Sequence, residues 1–321
     1  MTNETPARPG RDASGGGTTR GSAWPDAATV QSVRARAEAH LAARGRSSNA
    51  AVDPSLPDVA VVLGSGLGGI ADELEDRLTL TSSEIPGYPN STVAGHQGKL
   101  HLGKWGGRFV WCVQGRVHLY EGHTPEVATR YVRLLHALGV RSLLLTNAAG
   151  SLTTQVQPGE IVLDRDAISL FFLPLAMPAF GSGTQPGDDA GAPDPDAVWR
   201  RRGALSDLGL VQVARAVGLD LGIPFHEGTL VGGLGPTYET AAEVRAWRRL
   251  GGTVASMSTV PEAIQARELG VRVLIFSLVT NLGTGLSKSP LSHDEVVEVA
   301  DGAGMKLARL LRGLVSEIAT S

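Results

Sequence analysis

The stretch VAVVLGSGLGGI, residues 59–70, decides the fold of this chain. Its first five residues are all apolar, which is typical of a parallel strand buried on both faces. The four glycines that follow let the backbone turn sharply and approach a ligand closely. The short helix expected over residues 70–74 would point free N–H groups at that ligand. The stretch therefore predicts a strand, a tight turn and an anion site, usually a phosphate site.

Three interpretations of this glycine loop compete. Gly64, Gly66 and Gly69 fit the dinucleotide fingerprint G-x-G-x-x-G, and Glu84 stands 84 − 64 = 20 residues later, where an acidic ribose ligand is expected. Against it, residues 78–83 make a poor second parallel strand. In the second interpretation the hydroxyl of Ser65 binds a single inorganic phosphate. In the third the loop is a turn that binds nothing, and the loop alone leaves all three open.

Composition limits the class of protein. The chain has 321 residues, 42% of them apolar, which is enough for a sizeable core. A formal charge of −3 provides no basic field for nucleic acid or a membrane surface. No apolar run approaches the ~20 residues that span a bilayer, and no signal peptide is evident. The sequence favours a soluble cytoplasmic protein with neither nucleic-acid nor membrane partners.

Cysteine and metal chemistry are not indicated. The single cysteine, Cys112, lies within an apolar run, so we expect a core residue that forms no intrachain disulfide. No Cys/His spacing suggests a metal site.

The chain divides into four parts by composition. Residues 1–26 are rich in Gly, Thr, Pro, Ala and Arg and predict a disordered tail. Residues 27–57 predict a helix and a linker, and residues 58–321 a compact domain. Within that domain, residues 181–197 form a low-complexity insertion, interpreted as a flexible surface loop. Strands and helices alternate after residue 58. The predicted fold is therefore a single α/β domain with a central, largely parallel or mixed sheet flanked by helices.

Polar residues follow three of the predicted buried strands. Ser65, Asn147 and Asn281 each stand just after an apolar run. Ligands of α/β sheets collect beyond the carboxyl ends of the strands. We therefore expect these three residues to converge on one rim.

Residues 115–123, GRVHLYEGH, are the segment richest in reactive side chains. If the segment is extended, Arg116, His118 and Tyr120 project from one face, because side chains alternate along a strand. The alternative is an edge strand with its polar face in water.

Three helix starts downstream show capping-box spacing: Thr240 with Glu243, Thr259 with Glu262, and Ser292 with Glu295.

Seven segments, in order along the chain, carry a resemblance to a known family. They are GSGLGG at 64–69, STVAGH at 91–96, QGRVHLYEG at 114–122, TNAAG at 146–150, GPTYET at 235–240, MSTVPE at 257–262 and SLVTN at 277–281. Together they resemble the trimeric, 6-oxopurine-preferring purine nucleoside phosphorylases, from about residue 58 to the C-terminus.

The resemblance implies an activity and a set of site residues. Orthophosphate would attack C1′ of inosine, guanosine or their deoxy forms, giving free purine and (deoxy)ribose-1-phosphate. Phosphate is a co-substrate, and no cofactor or metal is implied. The residues implied for phosphate are Ser65, His96, Arg116, His118, Ala148 and Ser258. Those implied for the nucleoside are Tyr120, Tyr238, Glu239, Met257, Asn281 and His293. Of these twelve, His118, Glu239 and Asn281 are the residues expected to be catalytic.

The chain departs from the family pattern in two places. Residues 168–178, where the family has a loop that lends an aromatic residue to the neighbouring subunit, here read ISLFFLPLAMP. Ser256 stands where the family usually has glycine, which predicts a narrower base pocket.

Three rival functions share some of these sequence features. A 5′-methylthioadenosine phosphorylase would usually carry Asp in place of Asn281 and lack a histidine at His293. An NAD-binding oxidoreductase leaves Arg116, His118 and Glu239 unexplained. A catalytically inactive binding protein is disfavoured because the polar positions of the motifs are intact.

Overall fold

The computed structural model describes residues 24–45, 56–91, 98–171, 204–287 and 293–318. The strands are β1 Val59–Leu63, β2 Glu75–Thr81, β3 Lys99–Trp105, β4 Arg108–Gln114, β5 Ser142–Ser151, β6 Ile161–Ser169, β7 His226–Gly232, β8 Val254–Ser256 and β9 Arg272–Leu282. The α-helices are α1 Ala27–Gly45, α2 Pro125–Ala128, α3 Arg130–Ala137, α4 Leu208–Leu221, α5 Ala241–Arg249, α6 Val260–Glu268 and α7 His293–Ile318.

These strands form one mixed sheet in the order β2-β3-β4-β1-β5-β8-β7-β6-β9. Strand β1 runs parallel to both β4 and β5, with Val62 aligned with Val113 and Leu145. Strand β9 also pairs with β5, so five strands, β5, β8, β7, β6 and β9, close on themselves. The predicted α/β class with a mixed sheet is confirmed.

Helices cover both faces of the sheet, because the strand at its centre is apolar on both sides. All five residues of β1 are buried. Ala60 and Val62 belong to a core shared with α1, α3 and α6. Val59, Val61 and Leu63 belong to a second core shared with α4 and α7. The loop after β1 is thus held on a strand packed from both sides.

Helix α1 belongs to the first of these cores. Val33, Ala37 and Leu41 are at most 2% exposed and pack with the sheet residues. The helix predicted from their spacing is therefore confirmed. The linker that follows it lies largely outside the described residues, as do nearly all of the predicted tail and the whole 181–197 insertion.

The dinucleotide interpretation of the glycine loop is wrong. In a Rossmann unit the strand that follows the glycine loop lies beside the first strand and parallel to it, whereas β2 is an edge strand three places away from β1 and pairs antiparallel with β3. Glu84 instead accepts a hydrogen bond from the Thr81 backbone N–H and pairs with Arg36 at 2.8 Å. No helix in the part of the chain that the structure describes is long and apolar enough to cross a membrane.

Candidate active site

A cavity of about 320 Å³ lies where the loop after β1 meets the carboxyl-terminal ends of β5 and β9. Segments that follow β4 and β7, together with the residues at the end of β8, complete its wall. The predicted site residues on this wall are Ser65, His118, Tyr120, Ala148, Tyr238, Glu239, Met257, Ser258 and Asn281. His96 lies outside the described residues, and His293 is the first residue of α7, with no side-chain position described.

The glycine loop is fitted closely against the end of β5. The Gly64 N–H donates to Thr146 Oγ1 at 3.0 Å, and that hydroxyl donates to the Val62 carbonyl at 2.8 Å. A Cβ on Gly64 would lie 2.6 Å from Asn147 Cα, so only glycine allows this approach. The contact brings Ser65 and Ala148 to the same wall of the cavity.

The segment after β4 is not the extended strand predicted from its alternation. Strand β4 ends at Gln114, Gly115 has φ +80°, and residues 119–121 form a 3₁₀ turn. Arg116 and His118 are 4% and 7% exposed, and Val117 between them is buried as well. The alternative of an edge strand with a wet polar face is therefore also wrong. The glycine turns the chain inward, so the polar side chains are enclosed by the protein.

Arg116 lies behind the cavity wall in a buried network. Its Nη1 donates to the Thr146 carbonyl at 3.0 Å. Its Nη2 donates to Ser258 Oγ at 2.6 Å and to Thr259 Oγ1 at 3.0 Å. Its Nε lies 3.0 Å from Glu262 Oε1. The cation therefore reaches the cavity through Ser258, which lines it.

The predicted capping box of Thr259 and Glu262 is only half formed, because the Glu262 carboxylate interacts with the Thr259 backbone N–H but the Thr259 side chain does not cap the helix. Thr259 has φ +70° and makes no side-chain capping bond, although α6 does begin at Val260. Both side chains also hold Arg116. The box of Thr240 and Glu243 is confirmed at the start of α5. The sequence reasoning missed Glu262 as a site residue because its spacing matched a local helix signal.

Glu262 carries opposing influences on its charge. Burial raises the pKa of its carboxyl group, while the Arg116 cation, the Tyr131 hydroxyl and the Thr259 backbone N–H favour the ionised form. An ion pair at 3.0 Å satisfies both buried charges.

A carboxylate also orients His118. Glu121 Oε1 accepts a hydrogen bond from the His118 backbone N–H at 2.6 Å and lies 3.3 Å from His118 Nδ1. Ser91 Oγ donates to Glu121 Oε2 at 3.2 Å. The imidazole stacks on Tyr120 with ring centroids 4.7 Å apart. Contacts with Glu121 and Tyr120 thus hold the His118 imidazole on the cavity wall. Glu121 was not predicted, although its position three residues after His118 was a usable signal.

The remaining polar wall comes from the ends of β7 and β9. Glu239 follows the cis Gly235–Pro236 bond, and burial raises the pKa of its carboxyl group. The Asn281 amide is oriented by two bonds: Oδ1 accepts from Thr280 Oγ1 at 2.9 Å, and Nδ2 donates to the Leu282 carbonyl at 3.2 Å. A carboxyl group and an oriented amide are thus presented on one wall.

Asn147, expected on the same rim, is turned inward. Its side chain is 1% exposed, and Ser277 Oγ lies 3.0 Å from its Oδ1. The same hydroxyl lies 2.6 Å from Oδ2 of Asp164, whose pKa burial raises to about 8. Only Ser65 and Asn281 of the three predicted rim residues line the cavity.

Ser256 lines the cavity, with Oγ 3.4 Å from Ser258 Oγ, so its hydroxyl does occupy the wall where a glycine would leave space. Cys112 is buried and unpaired, as predicted. Within the described ranges, no group of three or more His, Cys, Asp or Glu side chains could hold a metal ion.

Comparison with known proteins identifies the family. The phosphorylase superfamily model matches residues 58–316. Purine nucleoside phosphorylase 1 of Bacillus subtilis (strain 168) is 39% identical over 264 residues, covering 82% of this chain and 93% of that protein. The purine nucleoside phosphorylase of Bos taurus is 40% identical over 272 residues, covering 83% and 90%.

A solved structure agrees. The crystal structure of Schistosoma mansoni purine nucleoside phosphorylase in complex with inosine has a TM-score of 0.71 at 28% identity, covering 91% of this chain and 97% of that one. Sequence and architecture point to the same conclusion: the chain belongs to the phosphorylase superfamily and, within it, to the purine nucleoside phosphorylases.

Proposed function

We propose that this chain catalyses phosphorolysis of inosine, guanosine and their deoxy forms, and that the cavity beside the glycine loop holds both substrates. The observation that carries the proposal is the composition of one wall. Donors suited to an anion, Ser65 and Ser258 with Arg116 behind it, share a cavity with Glu239 and Asn281, which suit a purine edge. A site for nucleoside or phosphate alone would not need both groups.

The anion donors fit orthophosphate. Ser65 and Ser258 offer hydroxyl groups at the cavity wall, and we assign the backbone N–H of Ala148, which also lines the cavity, to the same anion. Arg116 donates to Ser258 Oγ, which leaves the Ser258 hydroxyl hydrogen to donate to a phosphate oxygen. We assign His118 to the same phosphate, and His96 by family resemblance.

The chemistry follows from charge development. A phosphate oxygen forms a bond to C1′ while the C1′–N9 bond breaks, and the electron pair of that bond moves to the purine. Positive charge grows on the sugar, where the phosphate anion stabilises it. Negative charge grows on the base, where a hydrogen bond between N7 and Asn281 stabilises it. Binding the phosphate and the nucleoside in line lowers the activation barrier further. Tyr120, Met257 and His293 are assigned to the ribose.

The purine is selected by its hydrogen-bond pattern. An ionised Glu239 accepts from the N1–H of hypoxanthine or guanine, whereas adenine presents a lone pair at N1. Asn281 accepts from a protonated N7 and donates to O6. Adenine would leave these buried groups unpaired, which costs a large factor in kcat/KM. Inosine and guanosine are therefore the expected substrates and adenosine a poor one. Tyr238 is assigned to the base as well.

One assay tests the function. Purified protein is incubated with inosine, with and without phosphate, and hypoxanthine release is followed. We expect release only with phosphate. Release without phosphate, or no release under either condition, contradicts the proposal.

A second assay tests base selection. Asn281→Asp should shift kcat/KM towards adenosine, because aspartate can accept from the 6-amino group. The ratio of kcat/KM for inosine over adenosine is measured in both forms. A wild-type ratio near one, or an unchanged ratio in the variant, contradicts the roles of Asn281 and Glu239.

We also propose a cytoplasmic homotrimer with its sites near subunit boundaries. Residues 170–175 are apolar, and large apolar patches mark interfaces. Phe171, at the start of this run, is 3% exposed, and residues 172–175 lie outside the described part of the chain. Light scattering of the active protein tests the assembly, and an active monomer would contradict it.

A further inference from the structure

A chain of hydrogen bonds links the edge of the sheet to the glycine loop. Thr79 Oγ1 on β2 lies 2.9 Å from His101 Nδ1 on β3. His101 Nε2 lies 3.0 Å from Gln114 Oε1 at the end of β4. Gln114 Nε2 donates to the Gly68 carbonyl at 3.0 Å. Three adjacent strands thus each contribute one side chain to a continuous path.

The Gly68 carbonyl is the last acceptor in this series of hydrogen bonds, and it determines the direction of each of them. The Gly68 carbonyl can only accept, so Gln114 must turn its NH₂ group towards the loop and its Oε1 towards His101. Oε1 can only accept, so His101 carries its proton on Nε2. In the neutral imidazole Nδ1 then accepts from the Thr79 hydroxyl. Burial lowers the pKa of His101, which keeps it in this neutral form near pH 7.

The chain of hydrogen bonds reaches the glycine loop at Gly68, close to Ser65. The Gly64 end of the loop is held by Thr146, whose Oγ1 accepts from the Gly64 N–H. Within the loop, the Leu67 N–H donates to the Gly64 carbonyl at 3.0 Å. The Gly68 end is held by Gln114. Ser65 lies between the two attachment points and lines the cavity, whereas Gln114 does not.

We propose that Gln114, oriented by His101 and Thr79, is a positioning residue for the anion-binding loop. It touches no substrate and acts by holding Gly68, and through it the backbone that presents Ser65. The inference rests on the proposed function, because it assumes that the loop binds phosphate. It predicts an effect on phosphate that exceeds any effect on the nucleoside.

The first test removes the amide. In Gln114→Met, Gly68 loses its donor while the side-chain volume is nearly kept. Loss of one buried hydrogen bond corresponds to roughly a tenfold effect. We expect the KM for phosphate to rise about tenfold, with the KM for inosine changed less than twofold. We also expect a smaller rise in melting temperature on adding inorganic phosphate alone, which requires no nucleoside.

A pair of variants with smaller expected effects tests Thr79, at the other end of the hydrogen-bond chain. Thr79→Val removes the hydroxyl that orients His101 and should raise the phosphate KM about two- to threefold, a fraction of a hydrogen bond. Thr81→Val is the matched control, because Thr81 lies on the same strand and its hydroxyl bonds to Ser83 and Glu84 in a surface turn, away from His101. We expect it to leave the phosphate KM unchanged. If Gln114→Met fails to fold, this pair decides the question.

The outcomes separate this inference from the proposed function. If the wild-type protein shows no phosphate-dependent cleavage, the proposed function fails. If the wild type depends on phosphate but Gln114→Met binds it normally, only the positioning role fails. Equal increases in both KM values, or equal effects of Thr79→Val and Thr81→Val, would also overturn it, since a general loss of structure explains them.

Discussion

Two buried carboxyl groups in this molecule have opposite surroundings. Asp164 in β6 and Glu262 in α6 are 0% and 3% exposed. Glu262 lies 3.0 Å from the Arg116 guanidinium. Asp164 has the Ser277 hydroxyl at one oxygen, and in the described part of the chain no cation pairs with it. Burial alone disfavours the charged form, and only a paired cation offsets that cost. A charged carboxylate is therefore retained where Arg116 must stay oriented behind the cavity.

The largest effect is expected when the Arg116 cation, which pairs with Glu262, is removed. Arg116→Leu leaves Glu262 buried without a counter-charge, which should lower the free energy of unfolding by about 3–5 kcal/mol. The double variant Arg116→Leu/Glu262→Leu should recover much of that loss, because no charge remains buried. Urea unfolding at pH 7 compares the three proteins. A single variant as stable as the double would show that Glu262 does not depend on Arg116.

Removing the same cation should also separate the two substrates. Arg116→Ala should weaken phosphate use much more than nucleoside binding, by about 2–5 kcal/mol, because the charged donor behind Ser258 is lost. The measurement is the KM for each substrate at saturating levels of the other. An unchanged phosphate KM would remove Arg116 from the phosphate site.

The second carboxyl group predicts a pH effect of intermediate size. Burial raises the pKa of the Asp164 carboxyl group from its ordinary value of 3.8 to about 8. Between these values the folded protein keeps a proton that the unfolded chain has lost, so the free energy of unfolding falls as pH rises, by about 1.4 kcal/mol per unit. Asp164→Asn mimics the protonated acid and should gain stability over the wild type with increasing pH, up to about pH 8.

A neighbouring residue provides the control for this pH effect. Asp166, two residues along β6, is exposed and accepts from the Ala167 and Leu205 backbone N–H groups. Asp166→Asn makes the same chemical change at the exposed end of the same strand and is the matched control variant. Chemical denaturation at pH 5 and pH 8 makes the comparison. A constant stability difference for Asp164→Asn would mean that Asp164 is ionised throughout.

The smallest effect is expected for a solvated carboxylate. Glu227 pairs with Arg215 and Arg165, which lower the pKa of its carboxyl group to about 2. Its side chain is 30% exposed, so solvent screening limits the gain, and Glu227→Gln should cost about 0.5–1 kcal/mol at pH 7. The wild-type advantage should disappear as pH falls from about 4.5 towards 2. If Glu227→Gln lowered the free energy of unfolding as much as Arg116→Leu, burial would not be what makes the Arg116–Glu262 pair costly to break.

Regularly patterned elements were predictable from the sequence. The apolar runs correctly located β1, β5 and β9, although β5 and β9 extend past Asn147 and Asn281, and a helix was expected where α1 lies. Such patterns report burial directly. The antiparallel pairing of β2 was not predictable, because it depends on contacts with β3 that no local pattern encodes.

The candidate site shows the same division. Motif positions led to the cavity wall, including Ser65, Glu239 and Asn281. The side chains that hold the site were missed: Glu262 resembled a helix cap, and Glu121 was not singled out. Asn147 was placed on the rim because it follows a strand, yet its side chain bonds inward to Ser277. Residue type and spacing identify which strand ends contribute, and only tertiary packing determines where each side chain points.

The closed ring of five strands has a consequence for how the enzyme is made. Strand β9 pairs with both β5 and β6, so the last strand of the chain closes the ring. The Arg116–Ser258 bond likewise joins residues 142 positions apart. Contacts this distant are slow to form, since a long loop must close before they contribute. A ribosome-bound chain that has not yet released residue 282 lacks both the ring and the wall containing Asn281. Phosphate and nucleoside can therefore stabilise only the completed chain, and a truncation within β9 should yield an aggregation-prone intermediate, not a partly active enzyme.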